Sequence, residues 1–212
     1  MAHPQDMSTA PDTSNRPTAD EGLARLVAGN ERFVRGRASF QTAPKAFLEE
    51  LISGQRPYAT IIGCSDSRVP PELVFDTGLG ELFVIRVAGN VIGPAVMGSI
   101  QYAAVHLKTP LFVVLGHEGC GAVQAALAAR NHGAREPSRI ALLLDWIVPG
   151  LAAVDATRPP DQQMAAAVEA NVRWSMHQLL DTPEGQARMS EGVLKLVGAV
   201  YELRTGRVRF LA

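Results

Sequence analysis

The chain has 212 residues, of which 47% are hydrophobic and 19% are charged, and its formal net charge is -1. This length and composition are typical of one globular domain with a full core. The near-neutral balance gives no basic surface for nucleic acid or an anionic membrane, and no apolar run has the length of a transmembrane helix. Two cysteines are too few for a disulfide scaffold, so we expect reduced thiols in a cytoplasmic protein.

The first twenty residues are predicted to form a disordered tail, and residues 21–212 a single domain. The stretch 1–18 is rich in Pro, Ser, Thr and Asp and lacks the apolar segment of a signal peptide. Apolar residues at helical spacing then predict an amphipathic helix over 21–35. A second helix is predicted to follow Pro44 and to end near Gly54.

Strand and helix patterns alternate along the rest of the chain. Apolar runs predict strands over 58–62, 82–87, 111–115 and 193–201, and a short final edge strand over 207–211. Helical patterns occupy 95–107, 121–129, 137–146 and 161–180. Apolar strands that alternate with helices indicate an α/β fold, in which a mostly parallel central sheet is flanked by helices. We expect the C-terminal edge strand to be antiparallel and the helix over 21–35 to form an N-terminal arm.

Two short segments contain the residues best suited to chemistry. Cys64, Asp66 and Arg68 follow one predicted strand, and His117 and Cys120 follow another. Because ligands bind beyond the carboxyl ends of parallel strands, we expect both segments to contribute to one site. Two thiolates and one imidazole form a ligand set suited to zinc, and three protein ligands leave one tetrahedral position open for catalysis.

These segments resemble the motifs of the β-class carbonic anhydrases. The similarity covers Cys-x-Asp-x-Arg at 64–68, His-x-x-Cys at 117–120, and further stretches at 80–84, 196–201 and 205–208. It implies that Cys64, His117 and Cys120 bind one Zn2+ per chain. It also implies the activity of a zinc lyase, the reversible hydration of carbon dioxide to bicarbonate and a proton by attack of zinc-bound hydroxide on CO2.

The resemblance gives roles to Asp66 and Arg68 as well. In the family this aspartate and arginine pair, and the arginine keeps the aspartate off the metal. The ionised Asp66 then accepts a hydrogen bond from the zinc-bound water and orients it. Members with a closed, aspartate-bound zinc have a tryptophan three residues before the first cysteine, where this chain has Ile61. Gln55 matches the plant-like, permanently open members, so we expect an open site.

A carbon dioxide pocket at a subunit interface is a further implication of the resemblance. The positions that match its lining are Gln55, Phe83, Ala88, Tyr102 and Gly121, with the glutamine contributed by the neighbouring subunit. The amphipathic helix over 21–35 has no evident place on a small sheet, and in the family such helices wrap around a partner. We therefore expect a homodimer, or a homotetramer built as a dimer of dimers.

Other interpretations of the same residues remain open. A hydrolase of carbonyl sulfide or carbon disulfide would use the same zinc ligands, because the difference lies in pocket shape and access. A non-catalytic zinc-binding protein is another alternative, although it would not need the pair of Asp66 and Arg68. Cys64 and Cys120 could also be inert buried thiols.

Overall fold

One five-stranded mixed sheet organises the chain. The computed structural model describes residues 16–39, 48–49, 51–182, 185–186, 190, 192 and 194–211. In chain order the strands are β1 (Ala59–Gly63), β2 (Leu82–Arg86), β3 (Leu111–His117), β4 (Lys195–Tyr201) and β5 (Val208–Phe210). They lie in the order β2-β1-β3-β4-β5. The first four are parallel, and β5 runs antiparallel to β4 at one edge.

The predicted fold class is therefore confirmed. Every residue of β1 and β3 is buried, because both strands have neighbours on each side and are covered on both faces. This burial explains why their sequences are continuous apolar runs rather than alternating patterns. The edge strands β2 and β5 are only partly buried within one chain.

Six α-helices whose bounds fall within the described residues flank the sheet: α1 (Ala19–Val34), α2 (Pro71–Val74), α3 (Pro94–Tyr102), α4 (Gly121–His132), α5 (Ser138–Leu144) and α6 (Pro160–Leu180). The predicted helix over 95–107 is divided, because α3 passes into a π-helical turn (Ala103–Leu107) that ends at the left-handed Lys108. The short α2 and the 3-10 turns at Ala88–Asn90 and Val148–Leu151 were not predicted. The start of the helix expected after Pro44 lies outside the described residues.

The N-terminal arm packs on the sheet of its own chain, which corrects the expectation that it has no place there. Leu26 of α1 is fully buried in a cluster with Phe75 and with residues of β1 and β3. The helix begins at Ala19 because Thr18 and Glu21 form a capping box at its N-terminus. Ala19 and Asp20, which the prediction assigned to the tail, therefore belong to α1, whereas residues 1–15 lie outside the described part.

The second face of the sheet is covered by the long helix α6 together with α3 and α4. Val168 and Val172 of α6 and Val123 of α4 are buried there against Ile62 and Val114 of the two central strands. None of the helices in the described ranges is long and apolar enough to cross a membrane. The two covered faces leave the carboxyl ends of β1 and β3 as the place where loops from several elements meet.

Candidate metal centre

The segments that follow β1 and β3 meet at the carboxyl edge of the sheet. Cys64 is the first residue after β1, His117 is the last residue of β3, and Cys120 stands immediately before α4. The two strands are adjacent and parallel, with Gly63 opposite Leu115. The two sulfur atoms and a ring nitrogen of His117 all lie within 4.8 Å of one another, and all three residues are buried. A soft ligand set at this spacing suits one zinc ion.

The two thiols lie close enough together for each to affect the ionisation of the other. Cys64 Sγ and Cys120 Sγ are 4.0 Å apart. Hydrogen bonding from the Cys120 thiol and from the backbone amides of Gly89 and Asp66 lowers the pKa of Cys64 well below its usual range. The same hydrogen bond to Cys64, together with burial, raises the pKa of Cys120. A divalent cation at the site would displace the second proton, because the thiolate is the form that binds metal.

His117 is oriented so that one ring nitrogen faces the thiols. Its Nδ1 lies 2.9 Å from the carbonyl oxygen of Glu118, an acceptor that fixes the proton on Nδ1. The side chain is fully buried, and Nε2 has no hydrogen-bond partner among the described residues. A buried ring nitrogen without a partner is costly, and a metal ion would satisfy it. This orphaned atom is independent evidence that the cluster fits zinc.

Asp66 lies beside the cluster under the control of Arg68. Arg68 Nε donates to Oδ1 at 2.9 Å, and Nη2 donates to Oδ2 at 2.8 Å. These side-chain hydrogen bonds are the main reason why the pKa of Asp66 is well below its usual range. Oδ2 is 3.9 Å from His117 Nε2, so an ionised carboxylate stands next to the ligand atoms without occupying their centre.

Two arginines with no predicted role also shape the site. Arg86, at the end of β2, donates from Nε to the carbonyl oxygen of Cys64 at 3.0 Å and from Nη2 to that of Asp66 at 2.6 Å. It therefore ties the first ligand loop to the edge strand. Arg204 donates from Nε to Glu118 Oε1 at 2.9 Å, which ties the second ligand loop to the turn before β5. The sequence signals for Arg86 were its charge near the end of an otherwise apolar strand and its match to the family resemblance, and neither signal indicated its contacts.

The positions expected to line a substrate pocket are divided between the two ends of the sheet. Ala88 and Gly121 adjoin Gly89 and Cys120, and therefore lie near the ligand cluster. The other three lie towards the amino ends of the strands, at the opposite end of the sheet from the ligand cluster. Gln55 precedes β1, Phe83 is in register with Thr60, and the Tyr102 ring is 6.1 Å from that of Phe83. The five residues of β1 span roughly 17 Å, so one chain does not bring Gln55, Phe83 and Tyr102 to its own cluster.

A cavity of about 540 Å³ also lies on this side of the molecule, beside Tyr102. Its lining includes Tyr102, Val105, Phe112, Leu179 and Leu196, and none of the three ligand residues. Tyr102 and Val105 are about half exposed, at 47% and 50%. The apolar surface here is thus separate from the ligand cluster of the same chain.

Comparison with known proteins places this site in a family. The carbonic anhydrase family pattern matches residues 59–208. Carbonic anhydrase 2 of Mycobacterium tuberculosis is 42% identical over 184 residues, which is 86% of this chain and 87% of that protein. A carbonic anhydrase of Mycolicibacterium smegmatis is 38% identical over 191 residues, covering 86% and 88% of the two chains.

Solved structures agree with the sequence comparison. The β-carbonic anhydrase of Coccomyxa, solved in complex with acetazolamide, matches this fold with a TM-score of 0.71 at 28% identity. The match covers 89% of this chain and 86% of the Coccomyxa chain. Because the family match spans most of the chain and the fold and the buried Cys-His-Cys cluster agree with it, the chain belongs to the β-class carbonic anhydrases.

Proposed function

We propose that this chain hydrates carbon dioxide reversibly to bicarbonate and a proton at one zinc ion held by Cys64, His117 and Cys120. The observation that carries the proposal is the convergence of three buried ligand atoms within 4.8 Å, one of which, His117 Nε2, has no other partner in the described part of the chain. Zinc bound there supplies Lewis acidity, which makes water nucleophilic at neutral pH. Three protein ligands leave room for that water.

Asp66 orients the reacting water in this proposal, and Arg68 controls Asp66. An aspartate is ordinarily ionised throughout the neutral range, and the Arg68 hydrogen bonds lower the pKa of Asp66 further. An ionised oxygen 3.9 Å from His117 Nε2 accepts a hydrogen bond from a water molecule at the cluster and sets the direction of its lone pairs. Arg68 occupies both carboxylate oxygens, which restrains Asp66 from turning onto the metal. This arrangement supports the open, plant-like type of site.

We propose further that the protein is a homodimer in which each copy completes the pocket of the other. The strand β2 is an edge of the sheet, and no other described strand pairs with its outer side. A two-fold axis beside it would run two copies of β2 antiparallel. The partner's Phe83 would then approach Arg86 at the end of β2 and Ala88 just after it, beside the segment that begins at Cys64. The partner's Gln55 and Tyr102 would follow, and pairing two such dimers would give a homotetramer.

The dimer has a direct test. Tyr102→Glu places a charge on the exposed apolar surface and should give monomers by sedimentation, with zinc retained and hydration largely lost. Leu142→Glu is the matched control, because Leu142 is 55% exposed on α5, away from β2. Wild-type protein that sediments as a fully active monomer would contradict the proposal.

We also propose a cytoplasmic location, because a reducing compartment keeps the two free cysteines available as ligands.

The function is tested by a stopped-flow assay of CO2 hydration from about pH 6 to about pH 9, with zinc measured on the same sample. Fast turnover with one zinc per chain and a smooth rise with pH is expected for an open site. Very low hydration activity at neutral pH, followed by an abrupt rise in rate at higher pH, would mean that Asp66 closes the site. Full zinc without hydration, but with sulfide released from carbonyl sulfide or carbon disulfide, would identify the hydrolase instead. Full zinc with neither reaction would indicate a binding protein.

A further inference from the structure

We infer that Asn171 and Ser175 of α6 are positioning residues for the metal centre, acting through the backbone of the turn Ala88–Asn90. They hold this turn so that the amide of Gly89 donates a hydrogen bond to Cys64 Sγ. The inference rests on the proposed role of Cys64 as a zinc ligand. It assigns part of the control of that ligand to a helix that contributes no ligand itself.

The turn Ala88–Asn90 has a backbone that needs outside support. Gly89 and Asn90 have φ values of 68° and 47°, so two consecutive residues are left-handed. The Gly89 amide lies 3.3 Å from Cys64 Sγ. A Cβ on Gly89 would stand 2.7 Å from Ile147 Cδ1, so the turn is also packed closely from above. A short left-handed turn of this kind keeps one orientation only where its neighbours hold it.

Helix α6 provides that support through three hydrogen bonds. Asn171 Nδ2 donates to the carbonyl oxygen of Gly89 at 2.9 Å. Ser175 Oγ donates to the carbonyl oxygen of Asn90 at 3.1 Å and accepts from Asn90 Nδ2 at 3.3 Å. Asn171 and Ser175 are four residues apart and share one face of the helix. Asn90, Asn171 and Ser175 are each 1% exposed, so water does not compete for these bonds.

Asn171 is a poor choice for stability alone. Its Oδ1 is buried and has no hydrogen-bond partner among the described residues. A buried acceptor without a partner destabilises the folded state. Leucine has a similar volume and would remove that cost. The amide is therefore best explained by what its other end does, which is to hold the carbonyl oxygen of Gly89.

The hydrogen bond from Gly89 acts on the metal through sulfur. A donor aimed at a thiolate withdraws charge from it and fixes its direction, and such outer hydrogen bonds tune both metal affinity and ligand basicity. If α6 releases the turn, the Gly89 amide moves away from Cys64 Sγ. The sulfur is then less well oriented, and for this reason zinc should leave more quickly. It also becomes richer in electrons, and for this reason charge transfer from sulfur to a bound metal should need less energy.

The test compares Asn171→Leu and Ser175→Ala with wild type and with Thr109→Val. Thr109 is the matched control, because its buried hydroxyl pairs with Thr60 Oγ1 at 2.8 Å near the opposite edge of the sheet. Zinc release into a chelator is timed, and the thiolate-to-cobalt charge-transfer band is recorded after replacement of zinc by Co2+. Both α6 variants should release zinc about 10-fold faster and shift the band to longer wavelength. Thr109→Val should do neither, although it loses a buried hydrogen bond too.

The inference is overturned if the folded α6 variants release zinc at the wild-type rate with an unshifted band. Ser175→Ala removes a single oxygen atom, so it keeps the test decisive even where Asn171→Leu fails to fold. Failure of the proposed function looks different. In that case wild-type protein itself would show no thiolate-to-cobalt band and would bind no zinc that depends on Cys64.

Discussion

Arg68 holds Asp66 through three hydrogen bonds, two from its guanidinium at 2.9 and 2.8 Å and one from its backbone amide at 2.9 Å. The arginine side chain is 55% exposed and the carboxylate side chain 18%. An exposed guanidinium contributes little net stability through an ion pair. The value of this pair therefore lies in the orientation it gives to a carboxylate beside the ligand cluster.

Replacing Arg68 should lower the rate of CO2 hydration but leave zinc bound. Arg68→Ala frees the carboxylate of Asp66 to turn towards the metal, and Asp66→Asn removes its charge. We expect each variant to keep one zinc per chain and to lose about 100-fold or more in kcat/KM for CO2 hydration. Arg158→Ala is the control, because the ion pair of Arg158 within the described part of the chain is a long surface contact with Asp155 at 3.9 Å. Zinc-loaded Arg68→Ala with a wild-type rate would contradict the assigned role.

The same pair predicts a pH dependence of stability. The pKa of Asp66 is lower in the folded protein than in the unfolded chain, chiefly through the Arg68 hydrogen bonds. Its contribution is therefore complete above the unfolded value of about 3.9 and is lost as pH falls through the folded value. The difference in unfolding free energy between wild type and Asp66→Asn should be constant above about pH 5 and shrink below about pH 4. Both proteins lose zinc in acid, so the difference isolates the carboxylate.

Urea unfolding at a series of pH values measures that difference. Asp145→Asn serves as the control, because Asp145 is exposed at the end of α5 and lies outside the site. Its difference from wild type should stay small at every pH. A gap between wild type and Asp66→Asn that widens in acid would mean that the sign assigned to Asp66 is wrong.

The layout of the sheet could be predicted because its central strands are buried on both faces. That burial makes β1 and β3 read as apolar runs, and parallel pairing then brings the residues after them, Cys64 and His117, to one edge. The apolar stripe of α1 showed that one face is buried but not what covers it. Four residues of α2 are too few to show a period, so that helix left no pattern to detect.

The surroundings of the cluster were harder to predict, because they depend on contacts between side chains and distant backbone. Arg86 reaches the carbonyl oxygens of Cys64 and Asp66 from another strand, and Asn171 reaches that of Gly89 from another helix. No spacing along the chain encodes such contacts. The division of Phe83 and Tyr102 from the cluster became visible only from the register of β2 against β1.

Substitution of a zinc ligand should remove bound zinc, whereas substitution of a residue that only supports the ligands should not. Cys64→Ser and His117→Ala are each expected to lose bound zinc and with it essentially all hydration, since two remaining protein ligands hold the ion weakly. Metal analysis after gel filtration gives the zinc content directly. His132→Ala is a matched control for the histidine, because His132 lies exposed in the last turn of α4. An active His117→Ala protein, with or without zinc, would refute the ligand assignment.

The place of α1 on its own sheet gives a prediction about stability. A Cβ on Gly29 would lie 1.8 Å from the carbonyl oxygen of Phe75, a backbone atom that cannot turn aside. Gly29→Ala must therefore shift α1, and with it the neighbouring Asn30, which bonds to Val74, Gly206 and Val208. We expect a loss of about 3 kcal/mol in unfolding free energy, although alanine favours a helix.

Gly98→Ala makes the same chemical change on α3, where no heavy atom of the described residues beyond its own stretch of helix lies within 4 Å of the added carbon. Because there is no clash, the gain in helix propensity should leave the unfolding free energy of this variant unchanged or raise it by about 0.5–1 kcal/mol. Urea unfolding of both variants at one protein concentration makes the comparison, since association also contributes to stability. Equal stabilities for the two variants would mean that α1 does not rest against Phe75 in solution, and that the arm leaves its own sheet.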